Sequence, residues 1–396
     1  MRADRLELRE LVDADIDAAA RLGWRAFGFP TTETPLPRHL PPGTVRYGAF
    51  LGGRLVGRAH DHVDRQWWGG REVESSGIAG VAVAAEARGG GVARGLIGTL
   101  LERARERGAA VSALFPSIST VYRALGWASV GRVDTFALPT TALPHGPVPD
   151  GLEVREGTAA DLPACHQLYR GFAVANNGML SRDTERFRLP DGVLPPRVDG
   201  LTLALAGAEL VGYCTWARGT KWGKGAALTV PDLLAATPEA AVALVTSLRS
   251  WHPVVPTVWL RWLGGDVLAD IVPLELGEVY RTQSWMHRPV DLAAAVTSRG
   301  WPVGARGRAV FGIEDKLAPW NTGTWSLDIG DGAGELKRTT DDTSLHLTVA
   351  GFASLYCGVS TVAALRMAGH VRGDHDDAAA LDVLASSAPP RLLDTF

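Results

Sequence analysis

The run Arg88-Gly89-Gly90-Gly91-Val92-Ala93 carries the densest chemical signal in this sequence. Residues without side chains let backbone N–H groups close on a phosphate. The first amides of a helix are unpaired, and that end carries about half a positive charge. A pyrophosphate placed there satisfies both, and Arg88 and Arg94 add charge-assisted contacts. Two other phosphate loops are excluded. A dinucleotide fingerprint counted from Gly89 needs glycine where Arg94 stands, and no Gly-Lys-Ser/Thr is present for a P-loop. What remains is Arg-x-x-Gly-x-Ala over Arg88, Gly91 and Ala93. On these residues alone, a strand-to-helix turn that binds nothing stays open.

The surrounding elements place that loop. Gly77 to Ala84 reads as a buried strand. After the glycines, Val92, Leu96, Ile97, Leu100, Leu101 and Ala104 fall on one helical face, and Gly108 suits the stop. Ala109 to Ser117 is a second strand, and Ser117 or Ser119 can cap a short helix that ends at Gly126. Trp127 to Val130 is a third strand.

This order, with the phrase Tyr122-Arg123-Ala124-Leu125-Gly126-Trp127, resembles the GCN5-related N-acetyltransferases. The resemblance implies acetyl-CoA as cofactor, with its pantetheine arm between two splayed strands. Backbone groups at Val81, Ala82 and Val83 would polarise the thioester carbonyl. Arg88, Gly89, Gly90, Gly91, Val92, Ala93 and Arg94 would hold the pyrophosphate, with Ser117 and Ser119 nearby. Tyr122 would donate a proton to the leaving thiolate. The bland alternative for Tyr122 is a core aromatic with a capped hydroxyl.

The chain has 396 residues, 46% of them hydrophobic and 21% charged, which suits a globular protein of two to three domains. A net charge of -3 gives no electrostatic argument for nucleic acid or anionic membrane. Cys165, Cys214 and Cys357 are too few and too scattered for a disulfide framework or a CxxC metal site, and their apolar neighbours favour buried thiols. The charged N-terminus and the lack of a long apolar run predict a soluble, cytoplasmic protein. Leu138 to Gly151 reads as a proline-rich linker. After it, a strand and an Asp-initiated helix restart the chain's opening pattern, which suggests duplication. A second break falls between His287 and Pro302.

Taken whole, the chain resembles the Eis (enhanced intracellular survival) acetyltransferases of actinobacteria. That implies mixed α/β architecture in three parts: a catalytic acetyltransferase domain over 1–140, a second such domain without a cofactor loop over 151–288, and a sterol-carrier-like domain over 289–396. It also implies that the carboxylate of Phe396, the last residue given, enters the site as base. The acceptors would be aminoglycosides or other cationic amines, lysine side chains included, and the assembly a homohexamer. No metal is implied. Two other functions stay in play: a dedicated natural-product tailoring acyltransferase, and a non-catalytic acyl-CoA- or amine-binding protein.

Trp24, Phe27 and Phe29 could line the acceptor pocket or sit in the core, and Asp394 could meet a cationic substrate. Trp67 and Trp68 read as an aromatic wall or as packing against a neighbouring domain. His60-Asp61-His62 reads as a surface pair on an edge strand rather than as metal ligands or a base. Asp374-His375-Asp376-Asp377, near His370, reads as a solvated helix start rather than a metal site.

Overall fold

The computed structural model describes residues 6–28, 42–265, 267–373, 378 and 380–396. The first repeat begins with β1 (Glu7–Glu10) and α1 (Ile16–Phe27). A meander follows: β2 (Thr44–Leu51), β3 (Arg54–Trp68) and β4 (Arg71–Val83). Then come α2 (Val92–Glu106), β5 (Val111–Leu114), the short α3 (Ser119–Arg123) and β6 (Ala128–Pro139). The second repeat runs β7 (Leu152–Gly157), α4 (Leu162–Ala175), β8 (Gly200–Ala206), β9 (Glu209–Ala217), β10 (Ala227–Ala235), α5 (Pro238–Arg249), β11 (Thr257–Trp262) and β12 (Glu278–Pro289).

The repetition extends to single side chains. Arg9 grips Asp15 with two bonds, at 2.6 and 3.1 Å, in the turn before α1. Arg155 grips Asp161 in the same way before α4, at 2.6 and 3.2 Å. In each turn the guanidinium holds the carboxyl below the usual range, for Asp161 at about 2.

The repeats do not build separate sheets. Twelve strands join in the order β1-β2-β3-β4-β5-β12-β6-β11-β10-β9-β8-β7. Each repeat lends its last strand to the other. β12 fills the gap between β5 and β6, and β6 reaches across to pair with β11. Residues 278–289 thus complete the first repeat's part of the sheet. The linker reading is corrected at its start. Leu138 and Pro139 belong to β6, and Leu138, Thr140 and Leu143 are buried.

The remaining elements are α6 (Leu292–Ser298), β13 (Gly307–Ile313), β14 (Gly323–Gly330), β15 (Ala333–Arg338), β16 (His346–Leu347), α7 (Val349–Tyr356), α8 (Val362–Met367) and β17 (Val371–Arg372). Their five strands form a second sheet, ordered β15-β14-β13-β16-β17. Phe311, Trp325, Phe352 and Tyr356 from this part share one core with Trp68, Val130 and Trp285 of the large sheet. That shared apolar burial ties the parts together.

The expectation of an edge strand at His60-Asp61-His62 is overturned. β3 is hydrogen-bonded on both sides, by β2 and by β4, because the long meander encloses it. Asp61 is fully buried on Ser76 and Arg107. All three cysteines are buried free thiols. Among the described residues no helix is long and apolar enough to cross a membrane. Asp374, His375, Asp376 and Asp377 lie outside the described residues.

Candidate active site

The start of α2 has unusual backbone needs. Gly89 and Gly91 adopt φ values of +78° and +77°, a region that a Cβ disfavours. Gly91 is the N-cap residue and contributes no side-chain bond, so the first amides of α2 are left open. The second repeat treats the matching helix differently. There Thr237 caps α5, accepting a bond from the N–H of Ala240 at 3.2 Å. One helix start is open to an anion and the other is closed by its own chain. Arg88 and Arg94 flank the open one. Their bonds go to backbone oxygens, of Val83 and Lys316, each at 3.3 Å. The six apolar positions read from the helical spacing of α2 are all buried.

β4 approaches this loop with two irregularities. It pairs in parallel with β5 only from Ser75 to Ile78, and beyond that its β5-facing edge has no strand partner. On its other side, Arg58 faces Ala82 and His60 faces Ala79, so Gly80 and Val81 together oppose Ala59. This is a β-bulge, and Gly80 sits in it with φ +59°. Val81 and Val83 are half-buried and Ala82 is buried. Bulge and free edge meet in the stretch that the sequence assigned to the thioester.

α3 begins just past β5. Neither Ser117 nor Ser119 caps it by a side-chain bond, since Ile118 occupies the N-cap position. Tyr122 is half-buried and meets Trp127 edge to face, with ring centroids 6.2 Å apart. Burial pushes its phenol up to about 12. Its hydroxyl makes no hydrogen bond among the described residues, so the capped-hydroxyl alternative does not hold.

The tail arrives from the far side. The Phe396 ring packs on Phe115 and Trp285, at centroid distances of 5.5 and 6.1 Å. It lies over Gly77, where an added Cβ would stand 3.2 Å from the Phe396 ring, from Asp64 Oδ2 and from the Cβ of His62. Arginines of the second repeat hold the tail. Arg182 binds Asp394 at 2.9 Å and Asp232 at 2.5 and 2.9 Å. Arg261 donates to the Leu393 carbonyl. Arg186 spans two partners, the Asp64 carboxylate and the Thr395 carbonyl.

Asp394 is therefore an anchor of the tail: its carboxylate is taken by Arg182 and by the Tyr169 hydroxyl at 2.7 Å. Trp67 and Trp68 are buried packing residues, Trp68 against His287 and Tyr356. Trp24 is half-buried and Phe27 exposed on α1, while Phe29 lies outside the described residues.

The sequence reading paired His60 with His62 but missed the longer polar row to which they belong. Arg58, His60, His62 and Asp64 alternate along β3, and so share one face of the sheet. The opposite face meets α2, since a Cβ at Gly57 would touch Val92 and Leu96. Burial with nearby Arg58 and Arg46 lowers His60 to about 3, and burial with nearby Arg186 does the same for His62. Burial raises Asp64 to about 6 despite Arg186. The available signal was polar alternation at period two inside a long strand.

Residues 7–130 match the model of the acetyltransferase (GNAT) domain, and residues 292–393 that of a sterol carrier protein domain. An uncharacterised N-acetyltransferase of Streptomyces avermitilis is 30% identical over 329 residues, covering 77% of each chain. The crystal structure of a GCN5-related N-acetyltransferase from Kribbella flavida aligns with a TM-score of 0.82 and 29% identity, over 100% of this chain and 99% of that one. Eis1 from Mycobacterium abscessus shares the fold, with a TM-score of 0.75 and 23% identity over 98% of this chain and 100% of its own.

Proposed function

The chain belongs to the GCN5-related N-acetyltransferases, in their Eis-like three-part form, and on that premise we infer that it transfers an acetyl group from acetyl-CoA to a small-molecule amine. The observation that carries this reading is the uncapped start of α2, set directly after the bulged end of β4. Acetyl-CoA supplies an activated thioester. Arg88, Arg94 and the open amides between them hold its pyrophosphate. Ser117 and Ser119 flank the pantetheine arm where β4 and β5 part. Backbone amides at Val81, Ala82 and Val83 polarise the carbonyl.

The amine nitrogen bonds to the carbonyl carbon as the carbon–sulfur bond breaks. Tyr122 gives its proton to the departing sulfur. A phenol near 12 is a weak acid, but a thiolate forming beside it in the same dry cleft is raised by the same desolvation. The Phe396 carboxylate takes the amine proton, at the end of a tail that Arg186 holds through the Thr395 carbonyl while it also binds Asp64. Aminoglycosides, and amines made by a dedicated biosynthetic route, are the acceptor sets this reading admits.

Steady-state thiol release with acetyl-CoA and a panel of amines tests it. Release that depends on amine, with formation of the N-acetylated product, is expected. Tight acetyl-CoA binding with no release for any amine would assign a binding module instead.

A further inference from the structure

Among the described residues, Arg58 is a cation without an anion. Its guanidinium lies beneath α1, in the space left by Gly23, where an added Cβ would overlap it. Burial lowers its pKa, and the next influence on it is another cation, Arg46 of β2. Among the described residues no carboxylate reaches it, and its Nε is buried without a hydrogen-bond partner. Other deeply placed arginines of this chain are fully partnered. Arg107, Arg182, Arg186 and Arg288 each face an aspartate, and the buried Arg299 donates to the Gly300 and Tyr356 carbonyls and the Ser387 hydroxyl. A half-buried guanidinium with no counter-charge is costly to keep, and an arriving anion relieves that cost.

Its position says which anion. Arg58 sits on the face opposite α2, whose N-terminus the cofactor's phosphates require, so a cofactor phosphate is a poor fit. It is one alternation along β3 from His60, about 7 Å. A Cβ on the bulge residue Gly80 would stand 2.9 Å from Nδ1 of His60. The row therefore starts with a bare cation, passes the bulge, and ends at Asp64 beside Phe396. An acceptor lying along it meets positive charge at one end and carboxylate at the other.

We propose that the acceptor is an amine that also carries an anionic group, a carboxylate or a phosphate, and that Arg58 binds that group. This rests on the transferase reading. It narrows that reading away from purely polycationic acceptors, which Arg58 repels.

Matched pairs test it: lysine against cadaverine, and phosphoethanolamine against ethanolamine, with neamine as polycation. The anionic member of at least one pair is expected to have the higher kcat/KM, and the favoured pair tells carboxylate from phosphate. Arg58→Gln should raise that acceptor's KM roughly tenfold or more, with acetyl-CoA KM little changed and partial rescue by Arg58→Lys. A measurement without turnover runs beside it. With CoA saturating the loop, millimolar glutarate or inorganic phosphate should raise Tm in the wild type and not in Arg58→Gln. Faster turnover of neamine or cadaverine than of the anionic amines, or equal Tm shifts in both proteins, would overturn the anion site while leaving the transferase reading intact. Acetyl-CoA binding without release for any amine, together with an anion shift confined to the wild type, would overturn the transferase and keep the anion site.

Discussion

Tyr122 is half-buried, and among the described residues its hydroxyl makes no hydrogen bond that would divert it from a substrate. Its ring is held by Trp127, so loss of the hydroxyl alone should leave the packing intact. Tyr122→Phe is expected to lower kcat by about a hundredfold, the usual worth of a positioned acid, with the KM for acetyl-CoA within about twofold. Stopped-flow thiol release and equilibrium acetyl-CoA binding check the two halves, and an unchanged kcat would remove Tyr122 as proton donor. At this scale the sequence was uneven. Arg88 to Ala93 and Tyr122 were legible because their roles follow from short-range spacing. Asp394 was not, because its partners Arg182 and Tyr169 are brought to it only by the fold. Arg58 was unreadable for a related reason. A lone arginine acquires meaning from the carboxylates that fail to reach it, and that failure exists only in three dimensions.

The bulge in β4 is the element on which the proposed chemistry turns. Its extra residue redirects the backbone just where the β5-facing edge becomes free. Gly80 permits it by accepting φ +59°, and by leaving room for His60. Gly80→Ala imposes a left-handed conformation on a residue with a Cβ, at a cost of about 1–2 kcal/mol, and crowds the imidazole. The strand is expected to relieve this by shifting the bulge. Turnover should fall at least about tenfold while the separate start of α2 still binds CoA, which calorimetry with CoA alone can check. Activity equal to wild type would mean that the bulge does not set the carbonyl's position. Strand β4 and helix α2 were legible from residue types and periodicity. The exchange of β12 and β6 between repeats was not. β12 begins with exposed residues and ends in the buried run Trp285 to Pro289, a pattern that fits an edge as well as an interior strand. Its partners are chosen by which edges the first repeat leaves open.

The seam between the large sheet and the C-terminal part holds a histidine that makes the molecule sensitive to pH. His287, fully buried on β12, is stacked on Tyr356 and edged by Trp68 and Trp285, and both its ring nitrogens lack partners. Burial, with nearby Arg299, lowers it to about 3. The unfolded chain protonates this group near 6.5 and the folded chain does not, so its contribution is whole above 6.5 and is lost as pH falls toward 3. The loss approaches about 5 kcal/mol over that window, since each unit is worth about 1.4 kcal/mol. His60 and His62 act in the same direction, both lowered to about 3. Asp61 and Asp64 act oppositely, because burial raises them and the folded state keeps their protons longer. His166 is lowered too, chiefly by burial. Four histidines against two aspartates make the protein acid-sensitive from about pH 6.5 downward, most steeply before the aspartates respond. His287→Leu removes one of the four and takes away two orphaned nitrogens with it. Its unfolding free energy is expected to fall less steeply between pH 6 and 5, by about 1.4 kcal/mol per unit. Urea titrations of both proteins across that range measure the difference. Parallel curves would mean that His287 already carries a proton partner in the folded seam, and the seam would then not be the acid-labile joint of the molecule.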